Sequence, residues 1–162
     1  MARWAEVETA VPELAAAVRS RFDAHRHKTM ATVRADGSPR ISGTEATFVD
    51  GDLWLGAMPD SRKALDLLAD PRVALHSSTA DETMAQGDAK ISGRALEVTD
   101  PAAAAALLRA QQPDADEPAS PGPFHLFRID VTEIALVRIG DPADHLVIEG
   151  WSETRGYRSV RR

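Results

Sequence analysis

The sequence predicts a mainly β protein with peripheral helices, folded as an antiparallel barrel of six or more strands. Three observations lead there. Apolar and polar residues alternate in six or more separate stretches, the period of half-buried strands. The first three stretches are joined by Asp36-Gly37 and Asp50-Gly51, pairs suited to two-residue hairpin turns, which only antiparallel neighbours can use. Helical segments fall between later strands, and there is neither a dinucleotide-binding glycine fingerprint nor a phosphate-loop motif of the kind doubly wound parallel sheets carry. At 162 residues the whole chain, 1–162, reads as one domain with one core.

The elements follow in order. Residues 1–24 read as an N-terminal helical region: Leu14, Val18 and Phe22 recur every four residues from Pro12 to Asp23, and proline suits a first helical turn. From Lys28 the period becomes two, giving a strand to Arg34, a return strand over Pro39–Val49 and a third over Asp52–Met58. A short helix starts at Asp60 or Ser61, either of which can cap it, and must end before Pro71. Arg72–Ser77 and Lys90–Val98 are the next strands, separated by a polar stretch over 79–87. Gly93 marks a bulge or a close backbone approach in the second of them. Asp100-Pro101 opens an alanine-rich helix to Gln111, with Asp as N-cap and Pro at the first position. Residues 112–123 form a proline-rich surface loop, since four of the ten prolines lie between Pro113 and Pro123. Phe124–Ile139 is a long alternating strand and His145–Glu149 a short one, followed by a C-terminal tail, 150–162, holding Trp151 and several arginines.

Composition removes several functions. There is no cysteine, hence no disulfide scaffold, thiolate metal site or thiol nucleophile. His25 and His27 share a strand face without a third ligand at a recognisable spacing, so no metal site is expected. No Gly-x-Ser-x-Gly elbow supports serine hydrolase chemistry. A net charge of -6 and only eight aromatic residues disfavour nucleic acid as a partner, and no run approaches the roughly 20 apolar residues of a membrane span. The chain reads as a soluble, cytoplasmic protein that uses a small molecule.

Three features can carry chemistry. Ser61-Arg62-Lys63 brings a hydroxyl, two cations and free backbone amides to a helix start, which suits a phosphate. A solvated basic face is the plain alternative, although cations at a helix N-terminus oppose its dipole. Arg40-Ile41-Ser42-Gly43-Thr44 is a polar, small-residue strand start against which a flat ligand can lie and take backbone hydrogen bonds, unless it is simply a water-facing edge. Trp151, with arginines out to Arg161, can cover a ring or anchor the terminal strand.

These residues resemble the pyridoxamine 5'-phosphate oxidase-like family of flavin-binding split barrels. The resemblance runs from Ser61-Arg62-Lys63, followed by Leu67 and Asp70-Pro71 and preceded by a hairpin ending in Trp54-Leu55. It continues through Lys90-Ile91-Ser92-Gly93-Arg94-Ala95 and Asp100 to the closing segment with Trp151 and Arg161, so that it covers about residues 25 to 162. It implies an antiparallel split β-barrel that pairs as a homodimer, with flavin mononucleotide (FMN) in a groove at the interface. Arg40 matches the family's strand-start arginine, Ser61, Arg62 and Lys63 its phosphate motif, and Ile41, Ser42, Gly43 and Thr44 its ring-facing backbone. Trp151 and Arg161 match residues that the second subunit contributes. No catalytic acid or base is assigned.

The chain departs from the vitamin enzyme in places. Glu45 stands where a flavin-contacting lysine is expected, Gly56-Ala57 replace an aromatic-threonine pair, and no glutamine precedes Gly93 at the expected place. The resemblance therefore implies an FMN-dependent oxidoreductase acting by hydride transfer on a small organic substrate other than pyridoxamine phosphate. Its alternatives are a deazaflavin-dependent reductase and a non-catalytic flavin- or haem-binding stress protein.

Overall fold

The structure, a computed structural model, describes residues 1–79, 84, 86–116 and 122–162. Helices α1 (Trp4–Ala10) and α2 (Pro12–Asp23) lead into strands β1 (His27–Val33), β2 (Pro39–Val49) and β3 (Asp52–Ala57). Helix α3 (Arg62–Ala69) precedes β4 (Arg72–His76) and β5 (Asp88–Glu97), and α4 (Pro101–Gln111) precedes β6 (His125–Ile139), β7 (Leu146–Ser152) and β8 (Gly156–Arg161).

The strands run in the order β3-β2-β1-β4-β5-β6, and β6 pairs back onto β3, so six antiparallel strands close a barrel. Closure leaves those strands no bare edge. The 15-residue length of β6 makes this possible: residues 125–129 pair with β3 and residues 133–139 with β7. The β7–β8 hairpin thus extends the sheet beyond the closed part.

Alternation sets the core. Met30 from β1, Ala46 and Phe48 from β2, Ile91 and Ala95 from β5 and Ile129, Val131 and Ile134 from β6 all point inward and are buried. The bulge expected at Gly93 is present, with a register shift between Ser92 and Gly93. A Cβ there would lie 2.3 Å from the Asp130 carbonyl oxygen, so only glycine lets the two strands approach.

Helices α1 and α2 cover the core with Trp4, Val7, Leu14, Val18 and Phe22, the Trp4 and Phe48 rings standing 4.5 Å apart. Arg3 fixes the arm by donating from Nε to Asp52 Oδ1 at 2.7 Å. The N-terminal region therefore holds two helices, where the sequence suggested one beginning at Pro12. Trp4 and Val7 supply the buried side of a first helix too short to show a full stripe.

The C-terminal tail is likewise a strand. Gly156, with φ of 65°, turns the chain after β7, and β8 returns beside it. Its residues are exposed on both sides apart from Val160, so no alternation announced it. Part of the expected proline-rich loop, residues 117–121, and part of the polar stretch, residues 80–83 and 85, lie outside the described residues. Among the described residues no helix is long and apolar enough to cross a membrane.

Candidate functional site

The hairpin β2–β3 and helix α3 position the site. On β2, Thr44 and Ala46 point into the barrel, which turns Ile41, Gly43 and Glu45 outward. Ile41 is 77% exposed, and a Cβ on Gly43 would find nothing within 4 Å. This stretch of strand therefore offers open surface and bare backbone.

Helix α3 begins beside it. Ser61 occupies the N-cap position in extended conformation, but its side chain accepts no cap hydrogen bond, and its Oγ is buried without a partner. Leaving a buried hydroxyl unpaired is costly, so Ser61 Oγ is open to a hydrogen-bond partner from outside the chain, water or ligand. The first turn has no acidic residue and two basic ones.

Those two cations diverge. Lys63 reaches back to β2, where Nζ donates to the Gly43 carbonyl at 2.8 Å. Desolvation lowers the pKa of this half-buried ammonium, and the nearby charge of Glu45 offsets part of that effect. Lys63 and Ser61 line a cavity of about 520 Å³ with Gly43 and Gly56 on its strand side and Leu107 and Phe124 opposite. Arg62 instead lines a separate cavity of about 320 Å³ with Arg34 and Arg40.

Arg40 donates from Nε to Asp66 Oδ2 at 2.6 Å, and Thr32 Oγ1 donates to the same oxygen at 2.7 Å. Burial alone would raise the Asp66 carboxyl, but those two hydrogen bonds and the Arg40 charge outweigh it and hold the carboxyl below the usual range. Asp36, the other acid on this cavity, accepts from the Ser38 amide and hydroxyl at 2.9 and 2.6 Å. Arg62 has no hydrogen-bond or ion-pair partner among the described residues, and the Arg34 side chain bonds only the Ser38 hydroxyl, at 3.3 Å.

The structure thus brings Gly43, Thr44, Ser61 and Lys63 to one cavity and Arg40 and Arg62 to its neighbour. Ile41 and Ser42 lie on the strand between these positions and line neither cavity. Trp151 is 9% exposed and belongs to the core of its own chain, opposite Ile134 on β6. Arg161 is exposed on β8. Neither lines the cavity of Lys63 or that of Arg62, so one chain alone does not join them to the other predicted residues.

Three contributors escaped sequence reasoning. Arg26 and Glu45 form an ion pair at 2.9 Å, so the reversed sign at position 45 is balanced on the spot, and Arg26 and His27 line the Lys63 cavity. Counting outward from a two-residue turn at Asp36-Gly37 would put His27 opposite Ala46; the loop is one residue longer, with Arg34 paired to Ser38, and His27 therefore faces Glu45. No such count reaches Leu107 on α4, more than 60 positions from Gly43. Among the described residues no group of three or more metal-binding side chains occurs.

Solved structures share this fold. An FMN-binding, pyridoxamine 5'-phosphate oxidase-related protein of Nostoc punctiforme matches with a TM-score of 0.66 at 16% identity, over 94% of this chain and 95% of that one. An F420 reductase matches with a TM-score of 0.53 at 21% identity, over 67% and 87%. A heme-binding protein of Mycobacterium smegmatis gives 0.57 at 17%, over 90% and 86%. No curated protein matches the chain in sequence. Residues 14–138, however, match the family described as pyridoxamine 5'-phosphate oxidase, and the chain, with its closed six-stranded barrel, belongs to that family.

Proposed function

We propose that this protein is an FMN-dependent oxidoreductase that works as a homodimer and transfers hydride to or from a small organic molecule. The observation that carries this reading is the start of α3. There a buried, unpartnered Ser61 hydroxyl and an unpaired Arg62 stand beside a β2 surface left bare by Gly43. A flat ring with a phosphate tail satisfies all three at once, so the residues present fit FMN.

When bound, FMN supplies the hydride chemistry. The protein's residues bind and orient it: Arg40, Arg62 and Lys63 neutralise phosphate charge, the Ser61 hydroxyl gains a hydrogen-bond partner, and the backbone from Ile41 to Thr44 meets the ring. A second copy brings Arg161, which is exposed on β8. Trp151, buried beneath the same hairpin, acts as its anchor, the alternative role weighed for it above.

The likeness to an F420 reductase and to a heme-binding protein favours a second reading, in which the same groove takes a deazaflavin or haem. The absorbance spectrum of freshly purified protein, with mass identification of any bound ligand, separates them. Flavin bands and a stoichiometric FMN titration are expected. A deazaflavin band or a Soret peak selects the second reading, and failure to bind FMN refutes the first.

A further inference from the structure

We propose that the small organic molecule on which this protein acts is a carboxylic acid, and that Lys28 holds its carboxylate in a cavity beside the one lined by Gly43. The assignment rests on the oxidoreductase reading above and supplies its substrate class. The residues that carry it lie apart from those at the start of α3.

Lys28 breaks the pattern of its strand. Alternation on β1 turns Lys28, Met30 and Thr32 to one buried side, and Lys28 is only 7% exposed. Lysine is rarely buried so far without an anion beside it, because burial disfavours the charge. Yet its single hydrogen bond among the described residues runs from Nζ to the Arg26 carbonyl at 3.1 Å. An ammonium has three donors, so two remain. Desolvation lowers the Lys28 pKa, and the more distant charges of Asp23 and Glu45 offset only part of that effect.

Lys28 lines a cavity of about 230 Å³ whose other charges are already matched. Glu45 pairs with Arg26 at 2.9 Å, and Asp23 accepts from Arg19 Nε at 3.4 Å. Of the Lys, Arg, Asp and Glu side chains on this cavity, Lys28 alone has no ion-pair partner among the described residues. Ala46 and Ala110 add apolar surface, Gln111 donates to Thr47 Oγ1 at 3.4 Å, and His25 is exposed. One unmatched positive charge suits a single negative one. The second charge of a phosphate would face Asp23 and Glu45 with nothing left to neutralise it, whereas a carboxylate can accept from the free ammonium donors.

The two cavities adjoin. Arg26, Glu45 and Gln111 line both, and Lys28 stands opposite Thr44, which lines the larger one, in the β1–β2 register. An acid anchored on Lys28 therefore has its carbon skeleton beside the bare β2 surface that the proposed ring would cover.

The test uses the full-length protein and two matched pairs of probes, benzoate with benzamide and crotonate with crotonamide, which are alike in shape and differ in charge. Calorimetric titrations are run with and without FMN. Wild type is expected to bind each acid roughly tenfold more tightly than its amide, the gain typical of one charge-assisted hydrogen bond. Lys28→Met removes that preference and leaves FMN affinity unchanged. With FMN bound, the acids shift the flavin absorbance of wild type and not that of Lys28→Met.

Stability separates this role from that of a lysine which merely ties β1 to the end of α2. Methionine fills similar space without a buried charge, so Lys28→Met is expected to raise the thermal midpoint. Lys28→Gln takes its place if Lys28→Met does not fold. The inference is overturned if wild type binds acids and amides alike, if it binds neither, or if the preference for acids survives in Lys28→Met. If FMN does not bind while the acids still bind through Lys28, the cofactor reading falls and the carboxylate site stands.

Discussion

Asp66 shows how one side chain can serve both stability and site. It is buried on the inner face of α3, accepts hydrogen bonds from Arg40 and Thr32, and so holds Arg40 at the edge of the arginine-lined cavity. Replacing it with alanine leaves Arg40 and Thr32 without their acceptor. We expect Asp66→Ala to cost about 2–3 kcal/mol in urea unfolding at pH 7, less than a fully buried pair because the Arg40 side chain is 23% exposed. Its folded carboxyl titrates below the unfolded value of about 3.9, so the contribution is complete above that pH and is lost as pH falls through the lower, folded value. The gap between wild type and mutant should therefore close in acid, and a gap that is unchanged at low pH would contradict the ion-pair account. The residue types at this site were legible in the sequence: Arg40, Arg62 and Lys63, with the C-terminal arginines, stood out as a cationic set able to hold a phosphate, and Ser61 as a hydroxyl beside it. Their division between two cavities was not, because it depends on the rotation of α3 over β2.

At the scale of elements, the strongest local signals were turns and caps. Asp50-Gly51 closes its hairpin as the expected two-residue turn, with positive φ at both residues, whereas the first hairpin closes one residue wider, around Ala35-Asp36-Gly37, with positive φ at Gly37 alone. Asp100 caps α4 through a bond from the Ala102 amide at 2.9 Å. Elements lacking such signals were missed: α1 is only seven residues long, and β8 has hardly any buried face. Gly93 offers a direct test of how tightly β5 and β6 are packed. Its backbone needs no left-handed conformation, so the cost of a side chain comes from contact, chiefly with the Asp130 carbonyl and also with Ile129 Cγ2 at 3.0 Å. Gly93→Ala should destabilise the fold by about 2–3 kcal/mol through forced strand separation, read as a lowered thermal midpoint. A midpoint unchanged within a degree would mean that the bulge relaxes freely.

For the whole molecule, the proposed dimer makes a simple prediction. Light scattering of the purified protein should give a mass twice the 17.5 kDa of one chain. Arg161→Glu should leave that mass unchanged while weakening FMN binding several-fold, since the proposed contact is to a ligand phosphate and not across the bulk of an interface. A wild-type monomer would rule out any site shared between copies. By itself the sequence determined the strand periods, the hairpin turns, the helix starts and the stock of cations, because each depends on residues within a few positions of one another. Tertiary structure alone decided three things. It closed β6 onto β3, packed α4 and Phe124 over β2 and β3 to form the far wall of the Lys63 cavity, and buried Trp151 in its own core. Each of these joins segments far apart in the chain, and which of them meet is settled by shared burial of apolar surface, a property no local pattern encodes.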